Sequence, residues 1–136
     1  MHIEACRLSG FCHQDNVELH QQLPQQQLLK RAAAFVTHGG LSSIKEGILA
    51  GIPMIVTPEV FDQPFNAMRA VYHRLAPAIF TDEMNARALE LALNSILEHT
   101  LRSPEISYFQ SIFAEASANP QAALIIENQM SGCHRL

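Results

Sequence analysis

Four short runs with strand character recur along the chain, and stretches of helical spacing separate them. Val17-Glu18-Leu19-His20 alternates apolar and polar residues, as a half-buried strand does. Ala34-Phe35-Val36-Thr37 and Met54-Ile55-Val56 are continuous apolar runs suited to buried strands, and Ala78-Ile79-Phe80 is a further short candidate after Pro77. Leu28 to Ala33 reads as a short helix. Ile44, Ile48 and Leu49 have helical spacing behind Ser42 and Ser43 as N-cap candidates, and Gly51 with Pro53 just beyond ends that helix. Phe65, Met68, Ala70, Val71, Tyr72 and Leu75 predict another helix, with Asp62 as N-cap and Pro64 in its first turn. Leu89, Ala92, Leu93, Ile96 and Leu97 mark an amphipathic helix over 86–97. Two further helices are predicted over 106–118 and 121–130. Residues 1–16 form a loose lead-in, and 131–136 a frayed tail.

Strands alternating with helices predict an α/β fold, a Rossmann-like parallel sheet flanked by helices. Ligands of such sheets bind at the carboxyl ends of the strands. His38 and Pro58 both follow strand ends, so their loops should share one edge, which puts Asp62 and Gln63 near His38. Gly39 and Gly40 allow a sharp turn and a close backbone approach. Strand, glycine turn and helix N-terminus together make an anion site, because the first helical N–H groups lack intrahelical partners and carry the positive end of the helix dipole. A diphosphate is the natural guest.

Composition narrows the classes. The chain has 136 residues, one domain at most, with 48% hydrophobic and 16% charged residues, as globular proteins have. A net charge of −4 gives no reason to expect nucleic acid or an anionic membrane as partner. No run approaches a membrane span, and the first residues do not form a secretory signal, so a cytoplasmic home is expected. Cys6, Cys12 and Cys133 fit no disulfide framework. Cys6, Cys12 and His13 do not have zinc-finger spacing, so free thiols and no metal are the expectation.

The motifs around the glycine turn carry a resemblance. Gln22-Leu23-Pro24-Gln25, Leu28-Leu29, Phe35-Val36-Thr37-His38-Gly39-Gly40, Ser43, Glu46, Gly51-Ile52-Pro53, Pro58, Asp62-Gln63-Pro64 and Asn66-Ala67 follow one another in order over roughly a third of the chain. Together they resemble the donor-binding signature of the UDP-dependent glycosyltransferases of the GT-B fold, family 1 type. The resemblance implies the C-terminal, donor-binding half of such an enzyme, moving a hexose from a UDP-sugar to an acceptor hydroxyl with no metal or other cofactor.

It also implies roles. The loop at Gln21 to Gln27, with Gln25, would face the uracil base. His38 would contact the diphosphate, with Gly39, Gly40, Ser42 and Ser43 around it. Glu46 would accept from the ribose hydroxyls, and Asp62 with Gln63 would hold the sugar, a polyol that suits a carboxylate and an amide. Plainer roles compete. His38 can sit satisfied under the turn. Ser43-Ile44-Lys45-Glu46 is also a capping box, and Asp62 can cap its helix. Asn66, one helical turn on from Asp62, can join either set.

Three positions depart from the family pattern. Gln22 stands where many relatives stack an aromatic ring on uracil, a contact worth about 1–3 kcal/mol in nucleic-acid complexes. Leu41 stands at a position often tryptophan, and Ser42 where many have asparagine. Relatives have a second domain that supplies the acceptor site and the catalytic histidine. No pair in this chain is a convincing general base, so no catalytic residue is assigned and the chain alone is expected to be inactive. The acceptor would come through an N-terminal domain absent here or a partner chain, and the open side could support a homo-oligomer. A donor subunit of a two-chain enzyme and a non-catalytic nucleotide-sugar-binding remnant stay open as alternatives.

Overall fold

A computed structural model describes residues 17–18, 20–98, 103–118 and 121–132. The elements run α1 (Gln25–Leu29), β1 (Phe35–Thr37), α2 (Leu41–Ala50), β2 (Met54–Val56), α3 (Gln63–Tyr72), α4 (Ala86–Glu98), α5 (Pro104–Ala118) and α6 (Gln121–Gly132). β1 and β2 pair in parallel, with Phe35 opposite Met54 and Thr37 opposite Val56. Helix α2 is the crossover between them, as parallel strands require. The architecture is α/β, a parallel pair of strands flanked by helices.

β2 lies at the centre. Met54, Ile55 and Val56 are essentially inaccessible, as expected of a strand covered on both faces. Ile44 and Ile48 of α2, Ala67 and Ala70 of α3, and Ile106 of α5 close around it, with Phe35, Phe109 and Phe113 packed alongside. α2 ends on Gly51 at φ 71°, the left-handed C-cap that glycine adopts without strain. Gln110 of α5 donates a 3.1 Å hydrogen bond to Leu49 O, satisfying one of the carbonyls left open at that helix end.

Several expected elements change. The strand expected at 17–20 is not seen among the described residues: Val17, Glu18 and His20 are exposed and lie outside regular structure, and Leu19 falls outside the described residues. Glu18 instead bonds His20 two residues on, a local contact that gives no ladder. The run at 77–80 contributes a single parallel bridge, Ala78 to Val56. Pro77 has no N–H to extend it. Its carbonyl accepts from Val56 N at 3.0 Å, and Ile79 N donates to Val56 O at 2.9 Å. The first helix covers 25–29 rather than 28–33, because the Pro24 carbonyl already accepts from Gln27 N and Leu28 N.

Helix α3 buries only part of the apolar set expected of it, Ala70 and, just past its end, Leu75. Ala67 and Ala70 are buried, while Phe65, Met68 and Tyr72 are 62%, 64% and 82% exposed. Ala67 and Ala70 join the core cluster that holds Met54 and Val56. α4 keeps its predicted face, with Leu89, Ala92, Leu93 and Ile96 half-buried. α6 continues through Ser131 and Gly132, which the sequence pattern assigned to a frayed tail. The three cysteines, His13 and the lead-in 1–16 fall outside the described residues. Among the described residues, no helix is long and apolar enough to cross a membrane.

Candidate functional site

The site forms where β1 ends. Thr37 is buried and its hydroxyl oxygen accepts from Gly39 N at 3.3 Å, which starts the turn. Gly39 has φ 84°, in the left-handed region. A Cβ there would stand 2.5 Å from Val56 Cγ1, so the turn is pressed onto β2 as only glycine permits. Gly40 is the N-cap of α2, extended at φ −59° and ψ 141°. Its carbonyl accepts from Ile44 N at 3.1 Å.

α2 begins at Leu41, with no side chain capping its first turn. Ser42 and Ser43 therefore lie inside that turn and are not its N-cap. The first backbone N–H groups stay open to a ligand. The capping box expected at Ser43 and Glu46 is absent for the same reason. Glu46 is instead held from the opposite direction: Gln25 Nε2 donates to its Oε2 at 2.8 Å and Gln26 Nε2 to its Oε1 at 3.2 Å. Ser42 and Glu46 stand four residues apart on α2, hence on one face with Cβ atoms about 5–6 Å apart.

The loop after β2 closes the other side. His38 Nδ1 lies 3.3 Å from Thr57 O and 3.8 Å from Glu59 Oε1, with its side chain 64% exposed. It is neither tucked under the turn nor buried. Phe61 has φ 59°, a strained position for an aromatic residue that costs about 1–2 kcal/mol. Gln63 Oε1 accepts from both Glu59 N at 3.0 Å and Val60 N at 3.1 Å, and these bonds offset part of that strain. Asp62 occupies the N-cap position of α3 without capping it. Its Oδ2 accepts from Asn66 Nδ2 at 2.8 Å, and the same nitrogen donates to Gly39 O at 3.0 Å.

The predicted residues thus fall into two linked groups. Gln25 and Glu46 meet beside α2. His38, Gly39, Asp62 and Gln63 meet between the two strand ends. Ser42 and Ser43 lie between the groups, in the first turn of α2. Gln63 is in place, but its amide oxygen is committed to the loop and leaves the NH2 group for a ligand. Glu46, Glu59 and Asp62 make the surroundings acidic, so attraction for an anion comes from the helix N-terminus and His38. Sequence reasoning left open which set Asn66 joins, though its spacing from Asp62 was visible. It missed the three hydrogen bonds, one of Gln26 and two of Gln63, that tie the loops down.

The model of a known family, UDP-glucoronosyl and UDP-glucosyl transferase, matches residues 12–130 of this chain. A UDP-glucosyltransferase of Bacillus subtilis, YdhE, whose own role is uncharacterized, is 32% identical over 101 residues, covering 74% of this chain and 26% of the relative. The oleandomycin glycosyltransferase of Streptomyces antibioticus is 30% identical over 120 residues, covering 88% of this chain and 28% of that protein. The crystal structure of the glycotransferase of kitacinnamycin superposes with a TM-score of 0.75 at 33% identity, over 84% of this chain and 30% of that one. The chain therefore spans between a quarter and a third of these relatives.

Proposed function

This chain belongs to the UDP-glucoronosyl and UDP-glucosyl transferase family, and from that premise we propose that it is the donor-binding domain of a GT-B glycosyltransferase. Its ligand is a UDP-hexose. The observation that carries this reading is the uncapped first turn of α2, opening at Gly40 directly beyond the buried end of β1. Among the described residues no side chain caps that turn, and the residues around it match the chemistry of a nucleotide sugar in sequence along the ligand.

The diphosphate sits at the turn, taking backbone N–H groups of α2, the Ser42 and Ser43 hydroxyls and His38. One helical turn along, Glu46 accepts from the ribose hydroxyls. Gln25 and Gln26 fix the carboxylate while leaving lone pairs for the ligand, since an ionised carboxylate accepts about four hydrogen bonds. Asp62 and the free NH2 of Gln63 meet the sugar on the other side of the turn. During transfer the helix N-terminus and His38 stabilise the charge that grows on the leaving diphosphate. No metal or further cofactor takes part.

The residues named here form one wall. The acceptor and its general base would come from a facing domain or a partner chain. Positioning contributes about 7–11 kcal/mol to such reactions and a general base about 10²–10⁴-fold. The chain by itself is therefore expected to bind donor without transferring sugar.

Calorimetry with UDP, ADP and GDP on the wild-type chain and on His38→Ala tests the reading. UDP should bind best, and the substitution should weaken it about tenfold, the value of one hydrogen bond to a charged group. Equal binding by both proteins would remove His38 from the site. Preference for ADP or GDP would overturn the uridine assignment.

A further inference from the structure

We infer that Asn66 is the positioning residue that sets Asp62 against the glycine turn, and so places the sugar-binding carboxylate relative to the diphosphate site. The inference rests on the donor-binding reading above and adds a residue to it.

The geometry is specific. Asn66 Nδ2 donates to Gly39 O at 3.0 Å and to Asp62 Oδ2 at 2.8 Å. An amide NH2 carries two protons, and both are used. Its two acceptors belong to different loops of the opening. Gly39 belongs to the β1–α2 turn that takes the diphosphate, and Asp62 belongs to the loop after β2 that takes the sugar.

The anchor itself is firm. Asn66 stands in the first turn of α3, its N–H bonded to Asp62 O at 3.0 Å, and its neighbour Ala67 is fully buried. Asp62 makes no cap bond to α3, so its carboxylate is oriented by Asn66 rather than by the helix end. The preceding residue, Phe61, holds a left-handed φ of 59°, while Asp62 itself has an ordinary φ of −82° and ψ of −10°. Asp62 is held through one oxygen, and the lone pairs of Oδ1 stay available for sugar hydroxyls. With Asn66 removed, Asp62 is no longer registered against the turn. The diphosphate contacts survive, because they depend on α2 and His38.

The test uses the full chain. Binding of UDP and of UDP-glucose is measured by calorimetry for wild type, Asn66→Ala, Asp62→Ala and the double variant. Amide NMR spectra of wild type and Asn66→Ala are recorded without ligand. UDP-glucose should bind wild type about tenfold tighter than UDP does, and Asn66→Ala should erase that ratio while UDP affinity changes little. The two substitutions should be non-additive for UDP-glucose, since the second removes a contact the first has already disordered. In the ligand-free spectra, resonances of Gly39, Gly40 and Asp62 should all move. Additive effects, or equal loss of UDP and UDP-glucose, would overturn the positioning role. Spectral changes confined to α3 would overturn it even if the chain binds neither nucleotide, an outcome that would separately sink the donor-binding reading.

Discussion

Gln25 Nε2 lies 2.8 Å from Glu46 Oε2, joining the short helix before β1 to the middle of α2. The contact decides between two uses of Glu46. A capping glutamate would turn back to its own helix start. This one is held outward, beside the face that carries Ser42, and two glutamine amides hold it there. An acid so placed, one turn from an anion site, is suited to vicinal hydroxyls. Wild-type chain should bind UDP more tightly than 2′,3′-dideoxy-UDP, by about tenfold. Glu46→Ala should bind the two nucleotides equally, and Gln25→Ala should show an intermediate ratio. Competition calorimetry reads all three. A ratio unchanged in Glu46→Ala would move ribose recognition elsewhere.

The two glycines of the turn should behave differently. At Gly39 an alanine would need φ 84° and would press its methyl onto Val56 Cγ1. The backbone costs about 1–2 kcal/mol and the overpacking about 1–3 kcal/mol. Gly40 has an ordinary φ of −59°, and a Cβ there meets nothing within 4 Å. Gly39→Ala should therefore lower the thermal midpoint by many degrees, with Gly40→Ala close to wild type. Circular dichroism melts of both variants check this, and comparable losses would contradict the described turn.

Glu105 in the first turn of α5 supplies a pH signature away from the site. Ser103 Oγ donates to its Oε2 at 2.7 Å, and this bond, then its backbone hydrogen bond and the charge of Arg74, hold its carboxyl below the usual carboxylate range. A carboxyl with a depressed folded-state pKa adds stability above its unfolded-state value and loses it as pH falls through the folded-state value. The stability of Ser103→Ala should therefore fall below that of wild type at neutral pH, with the gap closing in strong acid. Urea titrations at several pH values measure it. A gap that widens toward acid would contradict the assignment.

What the sequence showed plainly was the β1–α2–β2 unit, because its signals are local. Apolar runs at 35–37 and 54–56, a glycine pair before the helix and a glycine after it suffice to set the order and the direction of the strands. The failures are non-local. The alternation at 17–20 carries strand character, but a strand exists only against a partner. α3 shows which positions are apolar, but not that Ala67 and Ala70 are the ones buried while Phe65, Met68 and Tyr72 stay exposed.

The capping box failed by three residues. Gly40, extended at ψ 141°, starts α2 before Ser43 can. Gly47 shows the same limit from another side. A Cβ on it would overlap Met54 Sδ, so α2 and β2 touch backbone to side chain there. The available signal was a glycine within an amphipathic helix, where alanine is favoured by about 1 kcal/mol.

The central claim is that a UDP-hexose lies across the first turn of α2. Amide NMR titration of the full chain with UDP-glucose tests it most directly. The account predicts that resonances of His38, Gly39, Gly40, Ser42, Ser43, Glu46 and Asp62 shift together and saturate at one ligand per chain. Shifts gathered instead around the open aromatic groove of His73, Pro104, Tyr108 and Phe109, or no saturable shift at the α2 turn, would contradict it.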